Sequence, residues 1–443
     1  MKLIFIVLLS FLASCSTLTP FSKQKLSIIQ GLTNKKEVEF SVLSKNKNLQ
    51  FNLVNEANVS ISPHETKIIE RASSDWVVHK IYFQREDESF SKLKITSGLS
   101  VIDERVLGAG ITNSSEINLV VASCMDDRFK NEFRAWNHVI KANPNYLLMI
   151  GDNVYADSVN NEANPKELWK RYVETRLSLP IFFSDKLIPI HALWDDHDFG
   201  INNGNKSYKF KTESKEIFDA FFAQSFSNEN YQGSFGVAGL LSLGDFNLYF
   251  LDSRMFRDED PKGLHLGMDQ EAWLMTSLKE EKKPSLIIKG DQFFGGYHVY
   301  ESFEGSHPEN FKSFVSQIKG IKTPFIFLSG DRHLSEIMQF PRSLFGIPSY
   351  EITSSPIHGN VYPSLGDNNP WRVTSIENKA NFIVLKNRAQ NDHWFIDIES
   401  ISADGETLFK RDIAVYIKDL QESLNEVRKR RQYRRRPIKS KRR

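Results

Sequence analysis

The chain has 443 residues, 40% of them hydrophobic and 25% charged, which suits two or three globular domains and excludes a wholly disordered polymer. Its net charge of +2 hides a division: 11 of the last 16 residues are Lys or Arg and none is acidic, so the remainder stands at −9 once those 11 charges are set aside. A chain of this length can bury a large core, so it needs no disulfides to fold, and its only cysteines are Cys15 and Cys124.

Lys2 precedes an apolar stretch at residues 3–12, which closes on Leu12-Ala13-Ser14-Cys15. So short a stretch does not cross a bilayer comfortably and reads as a removed export signal. Its ending resembles a bacterial lipobox, whose cysteine becomes the acylated first residue. Residues 1–15 are therefore expected to be a lipoprotein signal peptide with Cys15 as the lipidation site. The protein is then exported and lipid-anchored in the bacterial cell envelope, in the periplasm or at the outer membrane. Residues 16–35, rich in Ser, Thr, Lys and Gln, are expected to be a tether. Cys124 is left as a lone thiol, either buried and inert or held by a metal as thiolate; its place after a strand favours the metal.

Over residues 36–110 short runs alternate apolar and polar residues, as in Val38-Glu39-Phe40-Ser41-Val42 and Leu49-Gln50-Phe51-Asn52-Leu53. Period-two alternation with polar breaks predicts a small β-sandwich domain without a catalytic constellation. From Ile117 the pattern changes, with strand-like runs at 117–122, 146–150, 187–193, 246–251, 286–288 and 325–328. Between them lie helical stripes: Phe133, Trp136, Val139 and Ile140; Ile217, Phe218, Phe221 and Phe222; Phe311, Phe314, Val315 and Ile318. Asp269 reads as an N-cap before Trp273, Leu274 and Leu278. Strand–helix–strand repetition predicts a layered α/β catalytic domain over residues 115–418. Late runs at 382–385, 394–398 and 413–417 predict antiparallel strands closing its sheet, and 419–443 a helix running into the basic tail.

Each strand-like run ends in polar residues. The first leads to Ser123-Cys124-Met125-Asp126-Asp127-Arg128, the second to Gly151-Asp152-Asn153 and Tyr155, the third to Trp194-Asp195-Asp196-His197-Asp198. The later ones lead to Asp252-Ser253-Arg254, Lys289-Gly290-Asp291-Gln292 and Ser329-Gly330-Asp331-Arg332-His333. Working residues of α/β sheets gather beyond the carboxyl ends of strands. So many carboxylates on one rim repel one another unless cations separate them, and two metals sharing a bridging carboxylate solve this. Asp152 is the candidate bridge, because Gly151 lets the backbone turn tightly beside an ion.

The segments Gly151-Asp152-Asn153-Val154-Tyr155-Ala156-Asp157, Trp194-Asp195-Asp196-His197-Asp198-Phe199-Gly200 with Asn202-Asn203, and Ser329-Gly330-Asp331-Arg332-His333 resemble the alkaline phosphatase D (PhoD-like) family of calcineurin-like metallophosphoesterases. Further similarity lies at Leu251-Asp252-Ser253-Arg254 and Tyr350-Glu351-Ile352-Thr353-Ser354-Ser355. The resemblance implies a four-layer α/β/β/α sandwich preceded by the small β-sandwich. It implies a metal-dependent phosphoric ester hydrolase, acting on monoesters or diesters through a metal-activated hydroxide. It also implies a binuclear centre of Fe3+ and Ca2+ rather than zinc or manganese. Cys124, Asp152, Tyr155 and His333 would hold the iron, and Asp152, Asp196 and Asp331 the calcium. Thiolate and phenolate suit iron, and hard oxygens suit calcium. Two departures, Asp195-Asp196-His197-Asp198 for the usual Gly-Asn-His-Glu and Gly290-Asp291-Gln292 for a later histidine, favour an ion harder than zinc.

His197 is expected to protonate the leaving oxygen or steady the transition state, and Arg254 to spread the developing charge and bind substrate. The alternative for Arg254 is a salt bridge to Asp252 or a neighbour. Asn153, Asn202 and Asn203 could donate to phosphate or cap turns. Asp157, Asp195 and Asp198 are expected to orient ligands from behind. The expected partners are a phosphate-ester substrate and the membrane through the lipid anchor. The tail over 428–443 could bind anionic lipid, lipopolysaccharide or nucleic acid, or stay solvated, and a monomer is expected. Two alternatives stand beside this reading: a phospholipase-type phosphodiesterase, and a non-catalytic binding lipoprotein on a degenerate phosphatase domain.

Overall fold

The computed structural model describes residues 25–110, 116–157, 163–225, 231–298, 300–362 and 368–416. The expected signal peptide with Cys15, the start of the tether, and the final helix with its basic tail lie outside the described residues.

The alternating N-terminal runs form two four-stranded antiparallel sheets. One has the order Ser27–Thr33, Glu37–Ser44, Val77–Gln84, Glu65–Ile69; the other Ser60–Ile61, Gln50–Val54, Lys92–Ser97, Ser100–Val106. Alternate residues of the two sheets meet in one core, with Phe40, Val42, Ile81 and Phe83 against Phe51, Leu53, Leu93 and Ile95. The tether expectation for residues 16–35 fails over Ser27–Thr33, which is a strand buried along its whole length. Ile28 packs into the sandwich, while Ile29 and Leu32 pack into the core of the following α/β body. Apolar residues on both faces of a short strand leave no alternation to recognise.

The rest of the described chain is built on two facing sheets. The first runs Ile190–Leu193, Tyr146–Ile150, Glu116–Ala122, Asn381–Gln390, His393–Ser402, Thr407–Tyr416, parallel among its first three strands and antiparallel beyond. The second has eight strands, with Phe246–Phe250, Ser285–Ile288, Phe325–Ser329 and Ser349–Thr353 parallel at its centre. Period-two burial divides the layers. Leu286, Ile288, Ile326 and Leu328 face the first sheet in one core. Ile287, Phe325 and Phe327 face outward, onto a core that takes in the helices Met268–Glu280 and Pro308–Ile318. The helices Ala135–Ala142, Pro165–Ser178 and Lys211–Phe221 cover the first sheet, which completes an α/β/β/α sandwich.

Two local expectations are corrected. The strand expected at 187–193 begins only at Ile190. Pro189 has no N–H for the ladder, and Leu187 turns away into the sandwich core, its amide bonded to Val106 O. Asp269 is not a cap: Gly267, at φ 78°, starts the Met268–Glu280 helix, and Asp269 sits in its first turn, where a carboxylate suits the helix dipole.

Candidate metal centre

The parallel strands of both sheets end on the same rim. Gly151 and Gly290 allow the two sets of ends to touch: a Cβ on Gly151 would stand 2.7 Å from Asp195 Cβ, and one on Gly290 would stand 2.6 Å from Asp195 Cγ. The first turn is tied down by Cys124 N donating to Gly151 O at 3.2 Å and Met125 N to Asp152 O at 2.8 Å. Gly330 N donates to Gly290 O at 2.7 Å on the facing side.

Three groups of side chains meet there with ligand atoms within 4.8 Å of one another: Cys124, Asp152 and His333; Asp152, Asp196 and His197; Asp195, Asp196 and Asp331. Tyr155 joins the first group, its hydroxyl 3.4 Å from Asp152 Oδ2 and 3.3 Å from His333 Nε2. Cys124 Sγ lies 3.8 Å from the same Asp152 oxygen. The other oxygen, Oδ1, faces the amide of His197 at 3.3 Å. Asp152 thus presents one oxygen to the sulfur and phenol and the other to the His197 amide, a placement from which it could serve cations on both sides.

The electrostatics fit cations. Burial pushes Asp152 and Asp331 well above the carboxylate range; His197 opposes this at Asp152, while neighbouring acids push both further up. Oδ2 of Asp331 and Oδ2 of Asp195 are buried with no hydrogen-bond partner. Burial, then Asp152 and Asp331, likewise raise the Cys124 thiol. Yet the Ser355 hydroxyl donates to its sulfur at 3.0 Å, an arrangement that suits a thiolate once a cation is bound. Burial lowers His333, keeping a neutral imidazole ready to ligate, and its Nδ1 donates to Asn360 O at 2.5 Å, which fixes Nε2 toward the site. Burial would raise Asp196, but Arg254, His197 and the Asn203 amide hold it at about 2. The donor set is therefore chemically suited to two cations, a softer one at Cys124 and Tyr155 and a harder one among the carboxylates.

Beside these groups opens a polar cleft of about 400 Å³, lined by Asp152, Tyr155, Asp196, His197, Asp331 and His333 and by Asp126, Arg128, Asp157, Asn202, Glu301, Asn360 and Tyr362. His197 Nδ1 donates to Asp157 Oδ1 at 2.7 Å, which leaves Nε2 for the cleft. Burial alone would lower this imidazole, but Asp152, Asp196 and the Asp157 hydrogen bond raise it to about 11. Asp157 also accepts from the Asn202 amide at 2.8 Å.

Two expected substrate-binding groups do not reach this cleft. Arg254 is fully buried; its Nε donates to Asp195, and Nη1 lies 3.8 Å from Asp196. Asp252 does not pair with it, because that carboxylate accepts from Trp194 Nε1 and from the Arg254 amide. Arg254 is a countercharge behind the ligands. Asn153 Nδ2 donates to Leu193 O and Asp198 Oδ2, both at 2.6 Å, and so joins two strand ends instead of facing substrate. Conversely, Arg128, Glu301 and Tyr362 line the cleft without having been singled out as site residues. Glu301 and Tyr362 come from loops that carry no strand-end motif, and only the proximity of Arg128 to Cys124 could have marked it.

Comparison with protein-family models and with curated proteins gave no match. Among solved structures, that of PhoD is similar with a TM-score of 0.67, covering 94% of this chain and 100% of that one at 14% sequence identity. Yfce, a phosphoesterase from E. coli, covers 67% of this chain and 98% of its own at 12% identity, with a TM-score of 0.28. TT1561 of Thermus thermophilus covers 68% and 99% at 8% identity, with a TM-score of 0.30. The chain thus has the fold of PhoD, the layered sandwich with its N-terminal β-domain that the sequence motifs led one to expect.

Proposed function

We propose that the protein is a metal-dependent phosphoric ester hydrolase acting on phosphate monoesters or diesters. The observation that carries this reading is the meeting of Cys124, Tyr155 and His333 on one side of Asp152 with Asp196 and Asp331 on the other. Cations held there would supply Lewis acidity to water and to the phosphoryl oxygens. The chain's own groups do the rest. Asp157 fixes the ring of His197 and favours its protonated form, so that Nε2 can give a proton to the departing oxygen. Asn202 stands at the cleft wall, where its side chain can donate to the substrate. Arg254 offsets the charge of Asp195 and Asp196 from behind, without touching the substrate.

Iron at Cys124 and Tyr155, and calcium at Asp196 and Asp331, is the assignment that donor softness favours. Export and anchoring through Cys15, at the surface of the cell envelope, complete the proposal. The full set of converging donors speaks against a degenerate, purely binding domain. Assays with nitrophenyl phosphate and bis-nitrophenyl phosphate, with and without chelator, test it. Turnover that is lost to chelator and restored by metal is expected; no turnover of either ester by metal-loaded protein would favour the binding lipoprotein.

A further inference from the structure

An anionic substrate entering this cleft meets mostly carboxylates. Asp126, Asp157 and Glu301 stand on its wall in addition to the metal-ligand candidates. Among the described residues lining it, Arg128 supplies the single guanidinium or ammonium group. Its Nε donates to Asp126 Oδ1 at 2.8 Å and its Nη2 to Asp126 Oδ2 at 2.6 Å. Asp126 is itself clamped: its amide donates to His358 O at 3.0 Å, and its carbonyl accepts from His358 Nδ1 at 2.8 Å. The Asp126 side chain is 5% exposed and that of Arg128 is 55% exposed. The carboxylate therefore backs onto the protein and the guanidinium faces outward, held in one orientation before any ligand arrives. Its remaining N–H groups are free of the Asp126 pairing, and a preset planar fork loses little freedom on binding an oxyanion.

We propose that Arg128 binds a terminal phosphoryl oxygen and makes the cleft favour phosphate monoesters over diesters. This rests on the hydrolase reading above. Near neutral pH a monoester phosphate carries close to two negative charges on three terminal oxygens, whereas a diester carries one charge on two. Cations held by the ligand carboxylates would draw phosphoryl oxygens to their side of the cleft, and a monoester, with three terminal oxygens, would still have one to offer Arg128 on the wall. In a diester that place holds an ester oxygen and its substituent, a poorer acceptor that brings bulk against the guanidinium. The surrounding acids repel the dianion more than the monoanion, so losing Arg128 falls hardest on the monoester.

Wild type, Arg128→Ala and Arg128→Lys, each metal-loaded, are compared with nitrophenyl phosphate and bis-nitrophenyl phosphate; metal content and orthophosphate affinity by calorimetry are measured alongside. Wild type is expected to prefer the monoester. Arg128→Ala is expected to raise the monoester KM and weaken orthophosphate binding, each roughly tenfold or more. Diester kcat/KM falls by a clearly smaller factor, metal content stays unchanged, and Arg128→Lys recovers part of the monoester loss. A wild-type preference for the diester, an equal loss on both esters, or an unchanged preference in Arg128→Ala overturns the inference. If wild type turns over neither ester yet binds orthophosphate through Arg128, the hydrolase reading falls while Arg128 stands as the oxyanion-binding group. If orthophosphate binding is indifferent to Arg128, the inference falls whatever the turnover.

Discussion

Cys124, Asp152, Asp331 and His333 have φ of 56°, 52°, 64° and 54°, the left-handed region that residues with a Cβ usually avoid. Four candidate ligands share this conformation because each sits on a sharp turn just past a strand, and the packed sheets behind them hold the strain. His197→Ala should lower turnover about a hundredfold or more while the metals stay bound, read by steady-state kinetics with elemental analysis. Retained activity removes His197 from the mechanism. On the proposed iron assignment, wild type should show a visible phenolate-to-iron band that Tyr155→Phe abolishes, and a wild-type protein without that band would unseat iron at Tyr155. Arg254→Met should cost about 3 kcal/mol or more, read by denaturant unfolding, because it leaves Asp195 buried without its countercharge. A near-neutral result would return Arg254 to the substrate side.

The strand ends set how much of the site was legible. Residues 117–122 and 146–150 carry long apolar runs that close on the Cys124 and Gly151-Asp152 turns, so the convergence of their ends could be read directly. The direction of side chains further along the turns could not. Asn153 and Arg254 point inward because Asp198 and Asp195, from a different strand end, receive them. No local pattern encodes a pairing between segments about 50 residues apart. The strand at Ser27–Thr33 was hidden for a related reason: it is buried between two bodies, so apolar residues fall on both faces and even Gln30 is buried, its side chain bonded to Thr33 and Gly108. Close approach also constrains the elements. Gly290→Ala should push Asp195 off its position, lowering Tm and metal content together; unchanged metal content would show that the strand ends have room to give.

At the scale of the whole molecule, burial of titratable groups sets the acid sensitivity. His191 is fully buried against Phe250 and Tyr231, with no hydrogen-bond partner on either ring nitrogen, and burial lowers its pKa to about 3. In the unfolded chain its pKa returns to about 6.5. Between those values the unfolded state holds the extra proton, so the stability due to neutral His191 is complete above about pH 6.5 and is lost as pH falls toward 3. Tm should therefore drop on acidification, and His191→Phe should flatten that slope; an unchanged slope would acquit His191. The most direct test of the whole account is the metal content of wild type beside Asp152→Asn, by elemental analysis after identical loading. Two cations per chain in the wild type, with both weakened or lost in Asp152→Asn, is the predicted result. Two cations kept in full by Asp152→Asn, or a wild type that binds none, would contradict it.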